Sequence, residues 1–117
     1  MWINNIKLVN FRNYDNKIIK LYKNINVFFG ENAQGKTNIL ESIFLCSIGK
    51  SFRTSKEREL IKFNEKNSLV EINYQKKDRE GKIKIELGEK KQIYLNGVKL
   101  KKLSELLGNI NMVIFTP

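Results

Sequence analysis

The spacing of apolar and polar positions changes twice along the chain, and the changes divide it into three parts. At the start Ile3, Ile6, Leu8 and Phe11 recur at short intervals, which predicts a strand over residues 2–9. Asn13-Tyr14-Asp15-Asn16 carries turn chemistry, and Lys17-Ile18-Ile19-Lys20-Leu21-Tyr22 reads as a second strand. Lys23-Asn24 turns again into Ile25-Asn26-Val27-Phe28-Phe29, a β-branched and aromatic run that reads as a buried third strand. Links this short make the three strands antiparallel neighbours. The period then becomes helical. Ile39/Leu40, Ile43/Phe44 and Ser47/Ile48 repeat every four residues, predicting a helix over residues 38–48 with one apolar face and Gly49 at its C-terminal stop.

Residues 50–58 are polar and read as a loop, followed by a short element, helical turn or strand, at residues 59–63. From Leu69 the period is two. Val70, Ile72 and Tyr74 alternate with polar residues, as do Ile83, Ile85 and Leu87 after a turn over residues 76–81. Gly88-Glu89-Lys90 turns once more, and Asn96-Gly97 is the strongest short hairpin signal in the chain. The expectation is an antiparallel meander over about residues 69–100 with one wet face. A short helical turn over residues 104–107, closed by Gly108, precedes a fully apolar final strand over residues 111–115. Such a strand needs neighbours on both sides, so the chain reads as an amino-terminal piece of a longer protein.

Composition removes several classes of function. A chain of 117 residues, 41% hydrophobic and 29% charged, is globular and sized for a single small domain. There is no histidine and a single cysteine, Cys46, placed within the apolar helix, so Cys/His metal sites and His-based triads are excluded. No apolar run reaches membrane-span length and the start lacks a secretory pattern, so the expectation is a cytoplasmic protein without a membrane partner. The formal net charge of +10 favours a polyanionic partner, nucleic acid first.

The chemistry lies between the third strand and the helix. Gly30-Glu31-Asn32-Ala33-Gln34-Gly35-Lys36-Thr37 fits G-x-x-x-x-G-K-[ST], the phosphate-binding P-loop, in the strand–loop–helix setting that this motif needs. Gly30 and Gly35 let the backbone turn tightly against a polyphosphate. Amides of the loop and first helical turn, through Asn38, form an anion nest on the positive end of the helix. Lys36 reaches the β- and γ-phosphates, and the Thr37 hydroxyl is the candidate Mg²⁺ ligand.

Hydrolysis also needs an acidic residue at the end of an apolar strand. The two aspartates, Asp15 and Asp78, lie in turns, and none of the ten glutamates follows four apolar residues. The chain is therefore expected to bind nucleotide without hydrolysing it efficiently. Residues 76–102 carry ten Lys/Arg against four Asp/Glu. Lys82 and Lys84 share one strand face, readable either as a phosphate-tracking surface or as a plain solvated one.

Five segments together resemble a known family. They are Leu8-Val9-Asn10-Phe11-Arg12-Asn13-Tyr14, the P-loop with Asn38-Ile39-Leu40-Glu41, Gly49-Lys50-Ser51-Phe52-Arg53-Thr54, Leu95-Asn96-Gly97 and Val113-Ile114-Phe115-Thr116-Pro117. This pattern is similar to the amino-terminal third of the RecF family, bacterial replication and recombinational repair proteins with an SMC/ABC-type ATPase head. The Gly-Lys-Ser-Phe-Arg-Thr segment is its most specific part. The resemblance implies an α/β P-loop NTPase fold, with residues 1–117 as the first lobe of the head. It implies ATP and Mg as cofactors, an ATP-dependent homodimer, and DNA bound at gaps and single-strand/double-strand junctions. It also implies RecO and RecR as partners in recombinase loading, a setting in the SOS response, and a weak DNA-stimulated ATPase. Arg12 matches an arginine that SMC-like heads place near the nucleotide, and Arg53 matches a loop approaching phosphates or DNA. The alternatives are the head of another SMC-like ATPase, or a basic nucleic-acid-binding β-module with a vestigial P-loop.

Overall fold

The structure is a computed structural model that describes residues 2–21 and 33–110, with side chains from Thr37 onward in the second stretch. The strand expected at residues 25–29, the one at residues 111–115, and Gly30, Glu31 and Asn32 lie outside the described residues. Among the described residues, six strands form one antiparallel sheet: β1 (Trp2–Phe11), β2 (Tyr14–Lys20), β3 (Ser68–Lys76), β4 (Arg79–Leu87), β5 (Gln92–Leu95) and β6 (Val98–Lys99), in the order β2-β1-β3-β4-β5-β6. One helix, α1 (Ala33–Ile48), packs against β3 and β4.

The period-two segments behave as their pattern requires. On β3 and β4, Val70, Ile72, Ile83 and Ile85 are fully buried while the residues between them face outward. Cross-strand rows such as Ile19–Ile6–Ile72–Ile83–Leu95 run across the inner face. The Asn96-Gly97 turn has both residues at positive φ, the conformation that suits a tight two-residue hairpin.

Three elements differ from the pattern-based reading. The first hairpin turns at Arg12-Asn13, so β2 begins at Tyr14 and not at Lys17. Arg12 takes φ 55°, which permits so tight a turn. The turn between β3 and β4 is likewise only Lys77-Asp78, with Arg79, Glu80 and Gly81 inside β4. Third, residues 59–63 combine both readings, because a 3₁₀ turn (Glu57–Leu60) is followed by a single bridge from Ile61 to Phe11. The bridge is framed by Arg12 N–H donating to Leu60 O (2.8 Å) and Lys62 N–H donating to Asn10 O (2.8 Å).

Helix α1 begins at Ala33, so the second half of the P-loop motif forms its first turn. Its buried side differs from the expected stripe. Ile43 and Ser47 of that stripe are buried, but so are Asn38, Glu41, Ser42, Leu45 and Cys46, whereas Ile39, Leu40, Phe44 and Ile48 are only partly so. Polar residues can occupy this side because each is satisfied. Ser42 and Ser47 donate to the carbonyls of Ile39 and Ile43, and among the described residues no buried side-chain nitrogen or oxygen lacks a partner.

The meander is most constrained where β3 and β4 leave their shared turn. Gly81 faces the buried Tyr74 across the ladder, and a Cβ there would lie 2.1 Å from the ring. Gly81→Ala is therefore expected to push the Tyr74 ring from its seat and to lower the unfolding free energy by about 1–3 kcal/mol. Urea unfolding followed by tyrosine fluorescence measures this, and an unchanged midpoint would contradict the packing described.

Candidate functional site

A cluster of polar side chains ties three separated segments to the middle of helix α1, and its centre is Glu41. Thr37, Asn38 and Glu41 are spaced at i, i+1 and i+4, so Glu41 lies one turn beyond the P-loop threonine on the same side. The Glu41 carboxylate is fully buried. Arg12 grips it with both edges of a planar fork, Nε donating to Oε1 (2.8 Å) and Nη2 to Oε2 (2.7 Å). Arg53 Nη1 donates to Oε1 at 3.2 Å, and Ser51 Oγ donates to Oε2 at 2.6 Å. The Arg12 and Arg53 side chains remain 19% and 25% exposed, so a buried anion is held by two partly exposed cationic side chains.

The surrounding bonds fix where each group points. Arg53 Nη1 also donates to Asn38 Oδ1 (2.7 Å), and Asn38 Nδ2 donates to Asn13 Oδ1 (3.2 Å). Arg12 Nη1 reaches the carbonyl of Glu59 at 3.2 Å. Ser51 Oγ accepts from the backbone N–H groups of Arg53 (2.9 Å) and Thr54 (3.3 Å), which shapes the loop carrying Arg53. Phe52 packs edge-on against Phe44 with ring centroids 5.2 Å apart, so it anchors this loop to the helix. Lys91 fastens the far side, donating to Gly49 O at 2.7 Å and pairing with Glu57 at 3.4 Å.

Burial alone would raise the pKa of Glu41. The hydrogen bonds from Arg12 and Ser51 and the charges of Arg12 and Arg53 outweigh it and hold the carboxyl below its ordinary value. The same hydrogen bond, helped by the charges of Glu41 and Glu59, raises Arg12 further against the lowering effect of burial. Burial pushes the Cys46 thiol far up, which makes it an inert core residue.

Of the residues expected at a nucleotide site, the structure brings Arg12, Asn38 and Arg53 into one cluster. Thr37 lies on the preceding turn of the same helix. The backbone of Ala33, Gln34, Gly35 and Lys36 forms that helix's first turn. Lys82 and Lys84 stand apart, on the outer face of the sheet. Lys82 Nζ is 3.9 Å from Glu71, and Lys84 Nζ sits 4.6 Å above the Tyr94 ring. Among the described residues no group of His, Cys, Asp or Glu could by itself hold a metal ion, and no helix is long and apolar enough to cross a membrane.

Sequence reasoning missed Glu41, Ser51 and Asn13. The available signal was a lone carboxylate inside an otherwise apolar helix, in a chain whose two motif arginines had no assigned partner.

Because the folded-state pKa of Glu41 is lowered, its stabilising contribution is complete above the unfolded value of about 4.3 and is lost as pH falls through the lower folded value. Glu41→Gln is thus expected to cost about 1–3 kcal/mol at neutral pH, with the gap to wild type closing below about pH 4. Urea unfolding across pH measures this, and a gap constant down to low pH would show that the carboxylate charge plays no part.

Comparison with known proteins completes the picture. A family profile described as an AAA domain matches residues 5–115. A DNA replication and repair protein RecF from Clostridium acetobutylicum is 52% identical over 119 aligned residues, spanning 100% of this chain and 33% of the relative. The RecF of Clostridium kluyveri matches with the same identity and coverage. A solved structure described as the recombination mediator protein RecF-ATPrS in the RecFOR pathway superposes with a TM-score of 0.93 at 40% identity, over 99% of this chain and 32% of its own. The SMC head domain from Thermotoga maritima shares the fold, with a TM-score of 0.67 at 22% identity over 90% of this chain and 40% of its own. The chain spans about a third of the length of the RecF relatives it matches. With its whole length matched, the chain belongs to the AAA-domain family, has the P-loop NTPase fold of SMC-type ATPase heads, and is similar throughout to the amino-terminal third of RecF.

Proposed function

We propose that this chain is the ATP-binding first lobe, residues 1–117, of a RecF-type DNA replication and repair ATPase. The observation carrying this reading is the Arg12–Glu41–Arg53 cluster beside Asn38, which joins three segments of the family pattern on the P-loop helix, one turn beyond Thr37. Backbone amides of residues 30–35 cradle the phosphates, Lys36 neutralises the β- and γ-phosphates, and Thr37 ligates Mg²⁺. Arg12 supplies a further cation, and Asn38 holds Arg53 in place.

The donor set suits that ligand. The first turn of α1, starting at Ala33, offers N–H groups without an intrahelical acceptor. Two arginines meet one carboxylate, leaving a positive excess. A hydroxyl ligand suits Mg²⁺, which keeps most of its shell as water and phosphate oxygen. Two solved RecF structures described as ATP and ATPrS forms support the choice of nucleotide. No residue of this chain is assigned to water activation, so it binds Mg-ATP without efficient hydrolysis.

Titration calorimetry on wild type and Lys36→Ala tests the site. Wild type is expected to bind Mg-ATP and Lys36→Ala to lose at least tenfold in affinity, roughly the weight of one charge-assisted contact to phosphate. Equal affinities would remove the nucleotide reading and favour a β-module with a vestigial P-loop.

DNA at gaps and single-strand/double-strand junctions is the proposed polyanionic partner, with Lys82 and Lys84 on the outer sheet face contacting phosphates. Arg53 contacts phosphate or DNA from its loop. The formal charge of +10 and the names of the RecF relatives support this. For the intact cytoplasmic protein, the reading extends to an ATP-dependent homodimer and to RecO and RecR as partners. Fluorescence anisotropy on gapped duplex DNA is expected to give a steep salt dependence. Lys82→Glu with Lys84→Glu should flatten the log–log slope by about 2, at any sequence. A slope unaffected by the double substitution would move the contact elsewhere.

A further inference from the structure

Glu41 has no assigned part in nucleotide binding, yet it is the most heavily engaged of the described side chains on the P-loop helix. It is a fully buried carboxylate that receives Nε and Nη2 of Arg12, Nη1 of Arg53 and the hydroxyl of Ser51. Both guanidinium groups donate to a single oxygen, Oε1, so the carboxylate offsets the repulsion between two like charges brought to the same atom.

Stability is a poor explanation for such an arrangement. A buried ion cluster is on balance no better than a well-packed apolar one, because desolvation consumes most of the Coulombic gain. What the arrangement supplies is direction. The fork-to-fork contact fixes the guanidinium plane of Arg12, whose main chain is already at φ 55° and bonded to Leu60 O. Three of its N–H directions are used by Glu41 and the Glu59 carbonyl, and Arg12 lines one surface cavity together with Asn13 and Asn38.

We propose that Glu41 is a positioning residue for the polyphosphate: it holds Arg12 in a fixed orientation beside the P-loop helix, one turn beyond Thr37, and sets the loop of Arg53 near it. This rests on the nucleotide-binding reading above. Glu41 touches neither nucleotide nor metal, and it acts through Arg12.

The test is calorimetric titration of Mg-ATP into wild type, Glu41→Gln, Arg12→Ala, the double variant and Lys36→Ala. It is run at a temperature where circular dichroism shows every variant folded. Glu41→Gln is expected to weaken Mg-ATP binding roughly tenfold, the weight of a charge-assisted hydrogen bond, while leaving binding of adenosine, where measurable, unchanged. In the Arg12→Ala background most of the Glu41→Gln effect should vanish, because Glu41 acts on the polyphosphate through Arg12. A loss that stays additive with Arg12→Ala, or unchanged Mg-ATP affinity in Glu41→Gln, overturns the proposal. If Lys36→Ala also binds as wild type does, the nucleotide reading fails with it, whereas a loss confined to Lys36→Ala removes the positioning role alone. Should Glu41→Gln not fold, Arg12→Lys decides the matter. It keeps the charge and loses the fork, so a folded Arg12→Lys with wild-type affinity overturns the proposal and a tenfold loss supports it.

Discussion

The site depends on one constraint: a carboxylate inside a helix, shielded from water, needs donors brought from elsewhere in the chain. Glu41 meets this need with Arg12, which arrives at the end of β1, and with Ser51 and Arg53, which arrive from the loop after the helix. Removing water from a charge is costly, so the cluster forms as a set or leaves an uncompensated charge. That is why the end of β1 and the loop after the helix meet at the middle of the P-loop helix. The loop of residues 50–56 has little apolar anchoring beyond Phe52 against Phe44, and its course is set by Ser51, Thr54 and Lys91.

The sheet provides the rigid frame on which this cluster is mounted. β1 pairs with β2 on one side and with β3 on the other, so the end of β1 is held in a continuous ladder up to the point where Arg12 turns. The bridge between Phe11 and Ile61 then brings the 3₁₀ turn of residues 57–60 against the same corner. Left-handed conformations at Asn10 and Arg12 flank the buried Phe11, a local cost offset by the hydrogen bonds on either side. The outer face of the sheet is a separate surface. Its lysines pair with Glu71 and Tyr94 across strands, and nothing in that pairing involves the P-loop helix.

Much of the strand architecture was legible because burial on one face imposes a period of two. The alternation of Val70, Ile72, Ile83 and Ile85 and the Asn96-Gly97 turn are local signals, and β3 to β6 follow them. Turn boundaries were less legible. A left-handed Arg12 or Lys77 tightens a turn to two residues, and neither residue type advertises that conformation. The buried side of α1 was misread for a related reason. A period counted on apolar residues alone cannot register Asn38 and Glu41, whose burial depends on distant partners, or Ser42, which is satisfied by the Ile39 carbonyl of its own helix.

By itself the sequence determined the strand-forming segments, the phosphate-binding motif and its helix, the excess of positive charge, and the family pattern carried by Arg12, Arg53 and their neighbours. These are properties of short stretches, fixed by backbone geometry, side-chain period and charge. Only the tertiary structure decided that β1 lies between β2 and β3, and that the two motif arginines converge on one buried glutamate. Strand order and charge pairing depend on which surfaces exclude water together. That is a property of the folded whole, to which no single segment holds the information.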